Sequence, residues 1–412
     1  MTHHVDAIDG LLAAPQTFYS THLYAERGAF ALEWINAFGH VDPTLRTGLT
    51  LHGGTLAQLH LGKLQRLSRD IDLLGTSRGS IEQVLNAIAD RYDKKLFTWS
   101  EDMVERPEVP MRRFSVYFPS ALTEGTLVPL KLDITYLPVD LPLVSVRLSA
   151  SAVYSPTEST DSVDTLTPTA FVADKLPTLG FDTLGYPRPV AMAEDGNPEH
   201  IFKQIHDIAG LTDRGLSLDE LLPLYAAGVE ARNKARRLEY SVAECLEDAD
   251  RVCRVAIAGW AYPDNDDVVA DQNYIIDVQH ARAGIPPFAA YSLPGTPDVM
   301  VSACRVDMVV RALLAVAKGS LTPAMMRALI ERSRASGERA RDPNEKEYRT
   351  ALKAVLGRRT NPEGWRIPVN SRRIFGRAPE AAISAYVGCR PEIEAESLAN
   401  TGRFTFEPKD VS

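Results

Sequence analysis

Long apolar runs are missing from this chain of 412 residues: no stretch approaches the roughly eighteen uncharged apolar residues that a membrane-crossing helix needs. Its first residues, Met-Thr-His-His-Val-Asp, lack the basic start and apolar stretch of a secretory leader. These two absences lead to the expectation of a cytoplasmic protein with no membrane partner. Cysteine is scarce. The four present, Cys245, Cys253, Cys304 and Cys389, show no Cys-x-x-Cys spacing and no histidine at zinc-finger spacing. That argues against disulfides and zinc ligation and for reduced core thiols. No fixed repeat period runs through the chain, which argues against a solenoid. With 45% hydrophobic and 24% charged residues, the composition is ordinary for a globular protein, and the length suffices for two domains.

Basic residues are in deficit overall, with a net charge of -9, but unevenly so. Between Arg327 and Arg377 stand 14 Lys+Arg and 6 Asp+Glu, while the remainder holds 31 basic against 48 acidic residues. Such separation suits a polyanion-binding segment on an acidic body; a solvated arginine-rich helical face is the alternative.

The chemistry concentrates between Gly53 and Leu74. Leu49 to Leu51 reads as the end of a buried strand, Gly53-Gly54-Thr55 as a sharp turn with exposed amides, and Thr55 to Leu64 as the helix that follows. A helix start of this kind is an anion site. Asp70 and Asp72, set among Ile71, Leu73 and Leu74, lie two apart on an expected strand, so both carboxylates share one face and Ile71 takes the other. Ser68, two residues earlier, falls on the same side. Paired carboxylates beside a phosphate cradle point to metal-dependent phosphoryl or nucleotidyl transfer, in which two Mg²⁺ ions would neutralise the triphosphate and activate the attacking hydroxyl.

Helical spacing of Ala31, Trp34, Ile35 and Phe38 predicts an amphipathic helix over 24–38. A capping box at Ser80-Ile81-Glu82-Gln83 opens another, ending near Tyr92. Strands are expected at 96–99, 113–118, 128–137 and 144–154, then a loop over 155–168, rich in Ser, Thr, Asp and Pro. On the cleanly alternating strand, Leu130, Leu132 and Ile134 face one way and Lys131, Asp133 and Thr135 the other; alternation alone places Asp133 on a solvated face. Helices are expected over 169–179, with Pro177 ending or kinking the first, and from Asn197-Pro198 onward with a stripe of Ile201, Ile205 and Ile208. Past a boundary near 212–215 the pattern turns mainly helical. Ser217-Leu218-Asp219-Glu220 caps the first of these helices, Pro223 limits or kinks it, and others follow over 242–260, 299–317, 323–334 and 345–356.

Gly53-Gly54-Thr55 followed by Arg66-Leu67-Ser68-Arg69-Asp70-Ile71-Asp72-Leu73 resembles the AbiEii/AbiGii-type nucleotidyltransferase toxins, a branch of the DNA polymerase β-like superfamily that includes the MenT toxins of type IV toxin-antitoxin systems. The likeness extends over 51–211. Ala173-Asp174-Lys175-Leu176 is similar to that family's Glu/Asp-Lys-Leu helix, and Lys203 to Ile208 to its Lys-Asp-x-Tyr-Asp-Leu segment, with Gln204 in place of the first acid and Asp207 as the second. Taken by itself, Lys175 reads as a solvated helix lysine, and Asp207 as half of an exposed ion pair with Lys203. His206 reads as a polar helix residue.

The resemblance implies an α/β fold: a polymerase β-like domain over 1–214, a mixed sheet with flanking helices, followed by a mainly helical domain over 215–412. It implies Asp70 and Asp72 as Mg²⁺ ligands and Asp133 as the third metal carboxylate. Gly53, Gly54 and Thr55 would hold phosphate, Arg66 and Lys175 would counter its charge, and Asp207 would orient Lys175. A kinase-like antitoxin would make Ser68 an inhibitory phosphorylation site; otherwise the hydroxyl merely bonds the turn before its strand. The implied activity is transfer of a nucleoside monophosphate from an NTP to an acceptor, the 3′ end of tRNA first, which blocks translation in a toxin-antitoxin or phage-defence system with a cognate antitoxin. A protein or small-molecule acceptor, such as an antibiotic, is the alternative, and a catalytically inactive RNA- or partner-binding module is a third.

Overall fold

The computed structural model describes residues 22–61, 68, 70–76, 81–91, 97–103, 110–120, 122–137, 139–148, 162–185, 199–212, 216–261, 296–319, 322 and 324. Arg66, the Ser80 cap, the arginine-rich stretch from Arg327 to Arg377 and the helices expected at 323–334 and 345–356 lie outside the described residues. The chain divides into two compact units. One takes the described residues up to Phe171 together with Glu230–Glu239; the other takes the described residues between Val172 and Val229 and those from Tyr240 on.

In the first unit, seven strands form one mixed sheet: β1 (Leu49–His52), β2 (Asp70–Gly75), β3 (Thr98–Asp102), β4 (Met111–Pro119), β5 (Leu127–Tyr136), β6 (Leu143–Val146) and β7 (Val163–Leu166). Their order is β3-β4-β5-β2-β1-β7-β6. The β2–β5 and β1–β7 pairs are parallel; the remaining pairs are antiparallel. One face is apolar, with Ile71, Leu73, Phe114, Val116, Leu130, Leu132 and Ile134 all buried. Each such burial contributes about 1.5–3 kcal/mol. Helix α1 (His22–Gly39) packs against β2 and β5 and against the helix over Ile81–Arg91. Ala31, Trp34, Ile35 and Phe38 are buried on it as their spacing predicts, and Phe30 stacks on Phe118 with ring centroids 3.5 Å apart. A short α2 (Pro43–Arg46), capped by Asp42, leads into β1, and α3 (Gly53–Leu61) follows β1 directly. This helix opens two residues ahead of the expected Thr55. Helix α4 is Ile81–Arg91.

Local composition misled at 155–168. Strand β7 lies at the end of this expected loop, with Val163, Thr165 and Leu166 buried between β1 and β6. Its partners are distant in sequence, and only the non-local pairing makes a strand of it.

In the second unit, α5 (Pro168–Lys175), which begins in the first, stops where Pro177 predicts and gives way to a 3₁₀ turn over Leu176–Leu179. Then come α6 (Glu199–Leu211), α7 (Leu218–Arg236), whose residues from Glu230 on are counted with the first unit, α8 (Val242–Ala261) and α9 (Thr296–Ala317). Helix α7 runs on through Pro223. Pro223 is exposed and removes one early backbone bond, while Leu221, Tyr225 and Val229, at four-residue spacing, anchor the buried side. At the start of α8, Ser241 and Glu244 form a reciprocal capping box: Ser241 N donates to Glu244 Oε2 at 2.7 Å and Glu244 N to Ser241 Oγ at 3.2 Å. Cys245 and Cys253 on this helix are buried free thiols, in keeping with the expectation of core cysteines.

Candidate active site

The polar face of the sheet gathers the acidic residues. Strand alternation puts Asp70 and Asp72 on this face, and the parallel register of β2 and β5 sets Asp72 beside Asp133 and Asp70 beside Lys131. Neighbouring strands lie about 4.8 Å apart, so Asp72 and Asp133 are side by side. The row continues in both directions, with His52 opposite Asp72 on β1, Arg113 opposite Asp133 on β4, and Asp102 opposite Arg113 on β3. A sheet face carrying these polar side chains in sequence is a hydrophilic surface held on an apolar core.

Gly53 links the acidic pair to α3. Its φ is +73°, and a Cβ there would lie 2.5 Å from Asp72 Cγ, 2.6 Å from its Cβ and closer still to Oδ2. The carboxylate of Asp72 therefore rests against the bare Cα at the start of α3, where the partial positive charge of a helix N-terminus favours an anion. Thr55, buried in the first turn, donates through Oγ1 to the carbonyl of Asp70 at 3.2 Å, tying the helix to the start of β2. Ser68 Oγ lies 3.0 Å from Asp70 Oδ1, on the carboxylate side as its two-residue offset predicts. It is buried, which keeps its hydroxyl from a modifying enzyme in this conformation.

Asp133 has a partner that sequence reasoning missed. Arg113 donates from Nε to Oδ1 at 2.6 Å and from Nη2 to Oδ2 at 2.7 Å, a two-pronged fork that engages both oxygens. This bond holds the Arg113 guanidinium above its ordinary pKa, against the opposing effect of burial, with Asp133, Asp102 and Asp70 adding attraction. The signal was the position of Arg113 two residues ahead of Ser115 on an alternating strand, which assigns it to the polar face. Its neighbour Arg112 takes the opposite face, bonding Glu101 and Glu82 and lying 4.9 Å from the Phe114 ring centroid.

The donors suit a hard divalent cation. Among the described residues no three His, Cys, Asp or Glu side chains converge tightly enough to hold a metal alone. Mg²⁺ makes no such demand: it is commonly held by one or two carboxylates, with water and substrate phosphates completing its shell. Asp70 and Asp72, adjacent oxygen donors on one half-buried face, fit that role, whereas both oxygens of Asp133 are engaged by Arg113.

Lys175 and Asp207 belong to the second unit. Lys175, the last residue of α5, is 7% exposed, and Asp207 on α6 is 1% exposed. Both solvated readings fail: these are buried polar side chains, which need partners there. The 3₁₀ turn after Lys175 packs against α6. Gln204, where the resembled family has an acid, is buried too. Also in this unit, Asp248 on α8 accepts from Asp182 N at 2.8 Å and from Thr183 N and Oγ1 at 3.0 Å, pinning the loop after the 3₁₀ turn.

A protein-family model, the nucleotidyl transferase AbiEii toxin of type IV TA systems, matches residues 38–269. Among solved structures, MenT4, the nucleotidyltransferase toxin Rv2826c from Mycobacterium tuberculosis H37Rv, is similar at 15% identity with a TM-score of 0.41, over 75% of this chain and 98% of that one. No curated protein matches.

Proposed function

We propose, proceeding from the chain's membership of the nucleotidyl transferase AbiEii toxin family of type IV toxin-antitoxin systems, that the acidic face of the sheet is where this nucleotidyltransferase transfers a nucleoside monophosphate from an NTP. The observation that carries the reading is the Asp72 carboxylate resting on Gly53 at the start of α3, with Asp70 beside it on the same face. Asp70 and Asp72 would hold Mg²⁺. Bound there, the metal supplies charge neutralisation for the triphosphate and Lewis acidity toward the attacking hydroxyl.

The chain's own part is placement. Gly53 leaves the Asp72 carboxylate its position, Thr55 and Ser68 fix Asp70 by its carbonyl and its carboxylate, and Gly53, Gly54 and Thr55 would hold phosphate at the helix start. Arg66 and Lys175 serve as phosphate-countering cations, Asp207 orients Lys175, and Asp133 is the candidate third carboxylate. The acceptor is RNA, the 3′ end of tRNA first, with a halt in translation as the outcome and a cognate antitoxin as the regulator. The arginine-rich stretch favours this acceptor over a protein or a small molecule.

Asp72→Asn keeps the size of the side chain and removes the charge a cation needs. In an assay with Mg²⁺, each labelled NTP in turn and total cell RNA or protein, transfer should fall below about a tenth of the wild-type rate, as expected when charge stabilisation of this kind is lost. Retention of more than that excludes Asp72 as a metal ligand, and label in protein instead of RNA moves the acceptor.

A further inference from the structure

Of the two cations placed by register against the acidic face, Arg113 is the one committed to a carboxylate, and that carboxylate is the neighbour of Asp72. Its side chain is 31% exposed and that of Asp133 16%, so the fork is partly shielded but open to solvent and solutes. A guanidinium fork and a divalent cation make the same demand on a carboxylate, namely its oxygen lone pairs. A metal at Asp72 recruiting Asp133 would share those oxygens with a fixed positive charge on the adjoining strand, and the two cations repel. We propose that Arg113 is a resident counter-cation of the active site: it occupies Asp133 when no metal is bound, and a divalent cation must displace it to gain the third carboxylate. Arg113 is then a positioning residue that sets metal affinity through Asp133, and the affinity is weaker than three carboxylates alone would give.

The proposal rests on the reading of Asp70 and Asp72 as the metal site, and its test separates the two. Binding of Mn²⁺ to the full-length protein, without nucleotide, is followed by the loss of the free-ion electron paramagnetic resonance signal. Wild-type binding should be lost in Asp72→Asn. Arg113→Gln should tighten Mn²⁺ by at least about tenfold, the scale on which groups supporting a metal ligand act. Adding Asp133→Asn to Arg113→Gln should abolish that gain. An Arg113→Gln affinity equal to or weaker than wild type, with Asp72→Asn still inactive in binding, overturns the displacement and leaves the metal site standing. Mn²⁺ binding unchanged by Asp72→Asn overturns both. Should Arg113→Gln fail to fold, the wild-type protein answers by itself: with ¹⁵Nε-labelled arginine, Mg²⁺ should shift the Arg113 Nε–H resonance and speed its exchange with water. An unmoved resonance at saturating Mg²⁺ refutes the proposal.

Discussion

At Gly53 the backbone is left-handed and the Asp72 carboxylate lies against the Cα, so no other residue fits without moving one or the other. Gly53→Ala should cost about 1–2 kcal/mol for the positive φ. Its larger effect is on function: displacing the Asp72 carboxylate should weaken divalent-cation binding by about 10–100-fold. Calorimetric titration with Mn²⁺ beside a urea melt checks both parts. Wild-type metal affinity in a folded Gly53→Ala protein would show that glycine at this position does not place Asp72. The Gly-Gly pair was legible in the sequence as a turn; the identity of the atom that forbids a side chain was not, because it comes from β2.

Helices α8 and α9 are joined by a buried ion cluster. Arg311, 4% exposed, donates from Nε to Asp250 Oδ1 at 2.7 Å and lies 3.4 Å from Asp307 Oδ2 one helical turn away. Removing the cation takes its positive charge away from two buried carboxylates between packed helices. Arg311→Met should therefore destabilise the second unit by about 3–5 kcal/mol, although methionine fills much of the same space. Thermal unfolding at neutral pH measures this, and adding Asp250→Leu and Asp307→Leu should restore much of the loss. A single Arg311→Met change that leaves the melting curve in place would mean the carboxylates are solvated. The spacing of Asp307 and Arg311 was visible along one helix, whereas Asp250 joins them only through packing.

Across the molecule, pH and salt act on different parts. Burial lowers the pKa of His60 on α3 below its ordinary value, only partly offset by its bond to the Leu166 carbonyl on β7. The unfolded chain thus takes up this proton first as pH falls, and the His60 contribution to stability, full above about pH 6.5, is lost as pH drops toward the folded pKa. Urea melts at pH 7.5 and 5.5 should show a smaller acid loss in His60→Gln, whose amide can still donate to Leu166; an identical loss would assign it to other groups. Salt should report on the arginine-rich stretch. Replacing Arg358, Arg359, Arg372 and Arg373 with glutamine should weaken RNA binding. Its dependence on log salt should flatten by close to one unit for each phosphate no longer neutralised on a duplex, and by less on a single strand. NTP binding should stay unchanged. An unaltered affinity and slope would favour a protein or small-molecule acceptor. No helix among the described residues is long and apolar enough to cross a membrane.

Local order in the chain was enough to determine the glycine turn, the shared face of Asp70 and Asp72, the alternation of β5, the stripe of α1 and the stop before Pro177, because each depends on residues within a few positions of one another. Tertiary structure decided everything that depends on register between distant segments. It made a strand of Val163–Leu166, set Asp133 beside Asp72, and brought Arg113 onto Asp133. It also buried Lys175 and Asp207, which helix periodicity alone leaves in water. A side chain's face follows from its own strand or helix; its partner follows from which strand or helix lies next to it, and that is fixed only when the whole sheet and its helices close on a common core.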